Sequence, residues 1–118
     1  MTTSYNVNVW RVEVTATKPQ GGTQVSPIVM IPEWVSDITL YVKASAAATG
    51  KVEESPSTGV AIQTGTPTPD WMSVDASLDS VGATLVRKVL DHTPVALRIT
   101  SLTEDKTATL IVVGRRTE

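Results

Sequence analysis

A strict two-residue alternation between apolar and polar side chains is the feature that most constrains the fold of this chain. It is clearest in residues 37–45. The alternate positions there are Ile38, Leu40, Val42 and Ala44 on one side and Thr39, Tyr41, Lys43 and Ser45 on the other. Successive side chains of a β-strand point to opposite faces, so the pattern predicts a strand with one face in the core. We expect the other face to contact water or a partner.

The same period recurs along the 118 residues, and no segment keeps the apolar spacing of an amphipathic helix. Frequent Val, Thr and Ile are typical of pleated surfaces. Strands are predicted over residues 5–17, 24–31, 37–45, 51–55, 59–64, 71–74, 83–90, 95–100 and 108–113. We therefore predict an all-β fold, a single-domain two-sheet antiparallel β-sandwich of about eight short strands that spans residues 1–118. Both a jelly-roll and an immunoglobulin-like order fit this pattern.

The apolar phase slips by one residue near the start of the chain, between Val9 and Trp10. Tyr5, Val7 and Val9 belong to one phase, whereas Trp10 begins the next. Such a slip indicates either a β-bulge or a separate amino-terminal arm over residues 1–9. An arm of this kind adds a strand to a neighbouring molecule. The alternative is that these residues simply begin the first strand of the domain's own sheet.

The segment from Pro94 to Arg116 reads as a closing hairpin with a charged turn. Its second strand is apolar on both faces, because Ile111 and Val113 alternate with other apolar residues. A strand of this kind is expected to be covered on both sides. We expect a second copy or a partner protein to supply one of the two covers, which makes the hairpin part of an interface.

The charge balance and residue usage exclude several classes of function. With 10 Lys and Arg against 12 Asp and Glu, the net charge is −2, so we expect no sequence-independent binding to nucleic acid. Cysteine is absent, which excludes disulfides and thiolate ligands. No run approaches the ~20 apolar residues of a membrane span, and no classical signal pattern begins the chain. We expect no membrane partner and no secretion by such a signal.

The chemistry-bearing residues do not combine into a recognisable active site. His92 is the single histidine and no Gly-x-Ser-x-Gly elbow accompanies it, so a turn position is the simpler interpretation. Glu53 and Glu54 are neighbours on a predicted strand and project to opposite faces; we expect one to be solvated and the other to lie at a rim. We therefore predict no enzymatic activity, no catalytic residue and no cofactor.

Two further groups have a structural and a binding interpretation. The aspartates of residues 70–79 offer oxygen ligands to calcium, but their spacing does not match an EF-hand, and capping or turn formation is the simpler role, so no metal site is predicted. Tryptophans serve as sugar platforms, core plugs or interface anchors. Arg115 and Arg116 offer bidentate pairs to carboxylates of a partner, or form a solvated tail. The candidate interface residues are Tyr5, Val7, Val9, Trp10, Trp34, Ile111, Val113, Arg115 and Arg116.

Four features stand in a fixed order in the last two thirds of the chain: GKVEES at 50–55, a lone Trp71, PVALRI at 94–99 and TATLIVV at 107–113. In this order they resemble small virion structural proteins of tailed bacteriophages. In that family a strand of the form A-[IL]-R-[VIL], a turn and a strand of the form T-[VA]-T-L-x-V close a compact β-sandwich. The resemblance covers roughly residues 49–116. The chain departs from it in the turn at residues 104–106 and in the arginine pair near its end.

The resemblance implies a non-enzymatic component of a phage particle, assembled in the host bacterial cytoplasm. It favours a capsid decoration, or cement, protein that binds the major capsid protein on the outer surface of the shell. It also implies a homo-oligomer, with a trimer favoured. A head-to-tail junction or tail protein is the alternative within the same class, and other virion subunits are then the partners. A carbohydrate-binding module is the alternative from a different class.

Overall fold

The computed structural model describes residues 8–116, and these form eight strands and two short helical segments. The strands are β1 (Val9–Thr17), β2 (Ile28–Met30), β3 (Val35–Ala44), β4 (Gly50–Ser55), β5 (Met72–Ser73), β6 (Val86–Val89), β7 (Ala96–Ser101) and β8 (Thr107–Arg116). Between β4 and β6 lie helix α1 (Gly59–Thr64) and a single 3₁₀ turn at Ala76–Leu78. All pairings between these strands are antiparallel. The predicted all-β sandwich is confirmed.

The strands form two four-stranded sheets, with the order β1-β8-β3-β6 in one and β2-β7-β4-β5 in the other. We refer to them as the front sheet and the back sheet. Each strand pairs with its counterpart from the other end of the chain: β1 with β8, β2 with β7, β3 with β6 and β4 with β5. The chain is thus one long antiparallel hairpin rolled up on itself. This nested order is that of a jelly roll, which decides between the two orders that the sequence allowed.

The core lies between the two sheets and is almost wholly aliphatic. From the front sheet, Leu40, Val42, Leu110 and Val112 are fully buried, and Val52, Leu97 and Ile99 meet them from the back sheet. Gly50 lets the sheets approach, because a Cβ at this position would lie 2.7 Å from the Cβ of Ala108 on the facing sheet. Gly114 ends the packed row of β8, where a Cβ would collide with the side chains of Val35 and Ile38.

The closing segment is not a hairpin, which corrects the prediction from its sequence. β7 belongs to the back sheet and β8 to the front sheet, so the two strands face each other across the core. Residues 102–106 carry the chain between the sheets, with Asp105 at a φ of 61°. The buried Ser101 hydroxyl donates to the Lys106 carbonyl over 2.8 Å and ties the two ends of this link. An apolar alternation in two successive strands fits a hairpin and a sheet-to-sheet link equally well.

Residues 59–64 form a helix where a strand was predicted. Thr58 caps its start, since the Ala61 backbone N–H donates to the Thr58 hydroxyl over 3.2 Å. Gly65 ends it at a φ of 76°, the left-handed conformation that glycine adopts without strain. The buried side chains of the helix, Ala61 and Ile62, are sequence neighbours. These cap residues outweigh the apparent alternation of Val60 with Ile62.

The phase slip at the start of the chain is not a bulge. β1 pairs with β8 in an unbroken register from Val9 opposite Arg115 to Thr17 opposite Thr107. Val9 points outward and Trp10 inward, so the slip reflects only an apolar residue on the outer surface. Tyr5 and Val7 of the predicted arm lie outside the described residues, whereas Val9 is the first residue of β1.

Candidate functional site

The outward surface of the front sheet brings together two rows of side chains across all four strands. One row is Arg11, Val113, Thr39 and Val89; the other is Glu13, Ile111, Tyr41 and Arg87. Below them, the Thr15 and Thr109 hydroxyls lie 3.2 Å apart, and Lys43 is opposite Thr109. We call this surface the β8 face, because β8 occupies its centre. It combines an apolar middle with a charged rim.

The apolar middle of the β8 face comes from the strand that is apolar on both sides. Leu110 and Val112 of β8 point into the core and are fully buried. Ile111 and Val113 alternate with them and point outward, where neighbouring strands leave them partly exposed. Val89 on β6 is 63% exposed. The outward side of β8 is therefore not fully covered by the described residues.

The cations at the rim of the β8 face differ in whether they form an ion pair. Arg11 is paired with Glu13 on the same strand, its Nη2 lying 2.8 Å from the Glu13 Oε1. Lys43 and Arg87, on the opposite half of the face, form no ion pair within the described part of the chain. Exposed cations beside an apolar patch are complementary to carboxylates on a partner surface. The rim is therefore suited to an acidic partner.

The two arginines near the carboxyl end lie at the corner of the front sheet where β8 ends. Arg115 is opposite Val9 on β1, and its Nη1 lies 3.8 Å from the Asp37 carboxylate in an exposed, weak contact. The Arg116 guanidinium stands over the Trp34 ring at 4.9 Å from its centroid, in cation–π geometry. Trp34 remains 44% exposed. Both arginines and Trp34 thus lie at one corner rather than on a free tail.

The structure separates Trp10 from the other candidate interface residues that it describes. Trp10 lies on the inward side of β1 and packs against the core cluster, opposite Gly114 of β8. Val9 points outward and is 44% exposed. The sequence alternation of residues 37–45 also marked Tyr41 for the outward side of β3, although it was not among the candidate residues. Trp10 is consequently left out of the β8 face and Tyr41 is added to it.

The three tryptophans occupy separate places and do not form one stacking platform. Trp10 packs on the core and Trp34 stacks with Arg116. Trp71 lies on the back sheet, where the Arg98 guanidinium stands 4.2 Å from its ring centroid. Arg98 also donates from Nε to the Glu53 carboxylate over 3.0 Å. Sugar-binding platforms need exposed and aligned aromatic faces, so this distribution does not favour a carbohydrate module.

His92 lies in the link between β6 and β7, held between two carboxylates. Its Nε2 is 2.8 Å from Glu54 Oε1, and its Nδ1 is 2.8 Å from Asp91 Oδ1. Ionised carboxylate oxygens only accept hydrogen bonds, so contacts from both ring nitrogens favour the protonated imidazolium. The hydrogen bonds to Asp91 and Glu54 raise the pKa of His92 above its usual value. In its protonated form, His92 has no lone pair with which to act as a base.

The carboxylates near His92 have structural partners of their own. Glu54 faces His92 and Glu53 faces Arg98, so the two glutamates project to opposite faces as predicted. The prediction that one of them is solvated is wrong, because both side chains are largely buried against these partners. Surface cavities of about 290 and 240 Å³ flank Asp91 and His92. Among the described residues, no hydrogen bond identifies a side chain that lines these cavities as an activated nucleophile.

The aspartates of residues 70–79 are used in local structure. Asp75 caps the 3₁₀ turn by accepting from the Ser77 backbone N–H over 3.0 Å, and its pKa is lowered mainly by the Ser77 hydroxyl. Asp79 accepts from the Ser73 hydroxyl over 2.5 Å. In the described part of the chain, no three His, Asp or Glu side chains converge in a group that could hold a metal ion.

Among residues 8–116, no helix is long and apolar enough to cross a membrane. Comparisons of the chain with models of protein families, with curated proteins and with solved structures found no match. The β8 face therefore stands as the candidate site on its geometry alone.

Proposed function

We propose that this protein is a non-enzymatic structural component of a phage virion, and specifically a capsid decoration protein. It binds the outer surface of the coat lattice through the β8 face. The observation that carries the proposal is the outward position of Ile111 and Val113 at the centre of a four-stranded sheet, where both remain partly exposed. The resemblance to small phage virion proteins supplies the class of particle.

The composition of the β8 face supports a protein partner over a small ligand. Its apolar side chains are spread across a sheet surface rather than lining a deep pocket, as in protein interfaces. Lys43 and Arg87 at its rim form no ion pair with the described residues and can pair with carboxylates of the coat protein. Such rim charges set the approach and register of two surfaces, while the buried apolar centre supplies most of the affinity.

The structural role follows from mass action. A protein that binds the assembled lattice better than the free coat subunits stabilises the lattice, by about 2.7 kcal/mol per site at a free concentration 100 times the Kd. Repeated over the shell, this resists the internal pressure of the packaged genome. Assembly in the host cytoplasm and residence on the virion belong to the same proposal, as does a homo-oligomeric state.

The geometry around His92 supports a non-enzymatic role. A general base needs a free lone pair near a substrate, and both ring nitrogens of His92 face carboxylates. The head-to-tail junction and the tail are alternative positions on the same kind of particle, and copy number separates them. A decoration protein occurs in hundreds of copies, whereas a junction ring has about six or twelve.

The proposal is tested by adding the protein to particles that lack it. We expect the purified chain to sediment with the particles and to raise the temperature at which the shells disassemble. Counting the chain by electron microscopy of the same particles distinguishes the shell from the junction. Equal thermal stability together with no binding to the particles contradicts the proposal.

A further inference from the structure

The four strand edges of the sandwich differ in how well they are protected against pairing with another chain. Three of them carry a recognised safeguard. β2 has three residues and lies between Pro27 and Pro32, and β5 has two residues. β6 places Lys88 on its core-facing side, opposite Leu40 of β3. An exposed edge without such a device is a template for a further strand.

Among the described residues, the free edge of β1 is neither short nor interrupted by proline, and it places no charged side chain toward the core. The strand runs over nine residues, contains neither Pro nor Gly and keeps an unbroken register with β8 on its other side. Its core-facing residues Trp10, Val12 and Val14 are only partly buried, although they pack against the core cluster. The apolar interior of the sandwich therefore extends to this edge, and a further strand there would complete its burial.

The charges of β1 are arranged symmetrically about Val12. Arg11 precedes it and Glu13 follows it, both on the outward side, with side chains 54% and 47% exposed. We infer that the free edge of β1 pairs antiparallel with β1 of a second copy, in a two-fold register centred on Val12. In this register each Arg11 is opposite Glu13 of the second copy. On the core side, Trp10 is opposite Val14 of the second copy and the two Val12 side chains meet.

The registers next to this one are disfavoured by elementary cross-strand rules. A two-fold centre at Arg11 or at Glu13 places like charges directly opposite each other, which destabilises a pair of strands. A shift by one residue places the core-facing row of one copy against the outward row of the other. The centre at Val12 avoids both faults and makes two opposite-charge pairs.

This pairing joins the two front sheets into one continuous sheet. Both β8 faces remain outward, so the contact is independent of binding to a coat lattice. A two-fold contact builds a dimer rather than the trimer that the family resemblance implies. The inference thus goes beyond the proposed function, and the experiments that test it need no virus particle.

Charge reversal tests the register through the oligomeric state. We expect the unaltered chain to be a dimer by light scattering after size exclusion. Arg11→Glu and Glu13→Arg each place like charges opposite one another twice and weaken self-association about tenfold. Mixing the two variants restores the opposite-charge pairs, and we expect a heterodimer by native mass spectrometry. A monomeric unaltered chain, or a mixture that does not form heterodimers, overturns the inference.

Cross-linking tests the same register without reversing any charge. The chain has no cysteine, so introduced thiols report only the intended contact. Arg11→Cys mixed with Glu13→Cys is expected to give a disulfide-linked heterodimer under mild oxidation, because the two positions are directly opposite. The matched control is Arg11→Cys mixed with Thr15→Cys, whose positions are out of register. Equal cross-linking in both mixtures overturns the register, and circular dichroism confirms that each variant is folded.

Discussion

The outward surfaces of the two sheets differ in how their polar groups are satisfied. On the back sheet, Arg98 stacks on Trp71 and is paired with Glu53, its Nη2 lying 2.9 Å from the Glu53 Oε1. At the end of the same surface, Ser55 and Ala96 are 1% and 0% exposed, although they belong to the outward row. We attribute this burial to α1, which follows β4 closely and whose first residue lies against Met30 of β2.

On the β8 face, apolar and cationic side chains point outward. Ile111 and Val113 lie in the central strand, with Lys43 and Arg87 unpaired within the described part of the chain. Both surfaces arise from the same two-residue alternation, so the pattern by itself does not distinguish them. The two surfaces thus differ in their charged groups: Arg98 and Glu53 of the back sheet are paired with each other, whereas Lys43 and Arg87 of the β8 face form no ion pair with the described residues.

The largest effect is expected from a substitution in the apolar centre of the β8 face. Ile111→Asp places a carboxylate where we propose that the coat surface closes over the sheet, so we expect particle binding to fall by about 30-fold or more. Co-sedimentation over a range of concentrations measures this change. The matched control is Thr100→Asp on the outward side of β7, for which we expect unchanged binding. Equal losses in the two variants would remove the distinction between the surfaces.

The second effect concerns stability, and here we expect the larger loss from the back sheet rather than from the β8 face. Arg98→Ala leaves the Glu53 carboxylate, whose side chain is 16% exposed, without its partner and removes the stacking on Trp71. We expect a loss of about 1–3 kcal/mol in the free energy of unfolding, measured in urea. Arg87→Ala on the β8 face is expected to change it by less than about 0.5 kcal/mol. A similar cost for both truncations counts against the comparison.

A smaller effect is expected from the charged rim. Arg87→Glu reverses a cation that we propose to face carboxylates of the coat, so binding should weaken about tenfold at low salt, with the difference shrinking as salt is added. Lys51→Glu on the back sheet is the matched reversal, and its binding should equal that of the unaltered chain. Weaker binding by Lys51→Glu alone would place the interface on the back sheet.

The smallest effect is the pH dependence of stability from His92. Because Asp91 and Glu54 raise its pKa in the folded state, the imidazolium contacts are fully present below pH about 6.5 and are lost as the pH rises through the raised folded value. Stability should fall across that window, and His92→Gln should flatten the profile in thermal unfolding at several pH values. A profile unchanged by His92→Gln contradicts this assignment. Particle binding is not expected to follow the same pH dependence, since His92 is not part of the β8 face.

Much of the fold was predictable because alternation is a local property of the chain. The strand predicted at 37–45 appears as β3 at Val35–Ala44, and the side assigned to the core is the buried one. The sheet membership of β7 and β8 was not predictable, since a strand alternates identically whether its sequence neighbour pairs with it or faces it. The strand predicted at residues 59–64 is a helix, and the caps Thr58 and Gly65 are the sequence signal that distinguishes the two.

The candidate site was predictable only where alternation reveals it. Ile111 and Val113 were identified because apolar residues on both sides of a strand require two covers. Arg87 joined the β8 face through the pairing of β6 with β3, which no local pattern reveals. The contact between Glu54 and His92 likewise joins positions 38 residues apart in the sequence, brought together by the roll of the chain.

The proposed function requires that the β8 face is the surface in contact with the coat lattice. Electron microscopy of decorated particles, at a resolution that orients the sandwich, tests it most directly. We expect density of the coat against Ile111, Val113 and Tyr41, with the Trp71 and Arg98 surface facing solvent. A map in which the β8 face points to solvent and the back sheet touches the coat would contradict it.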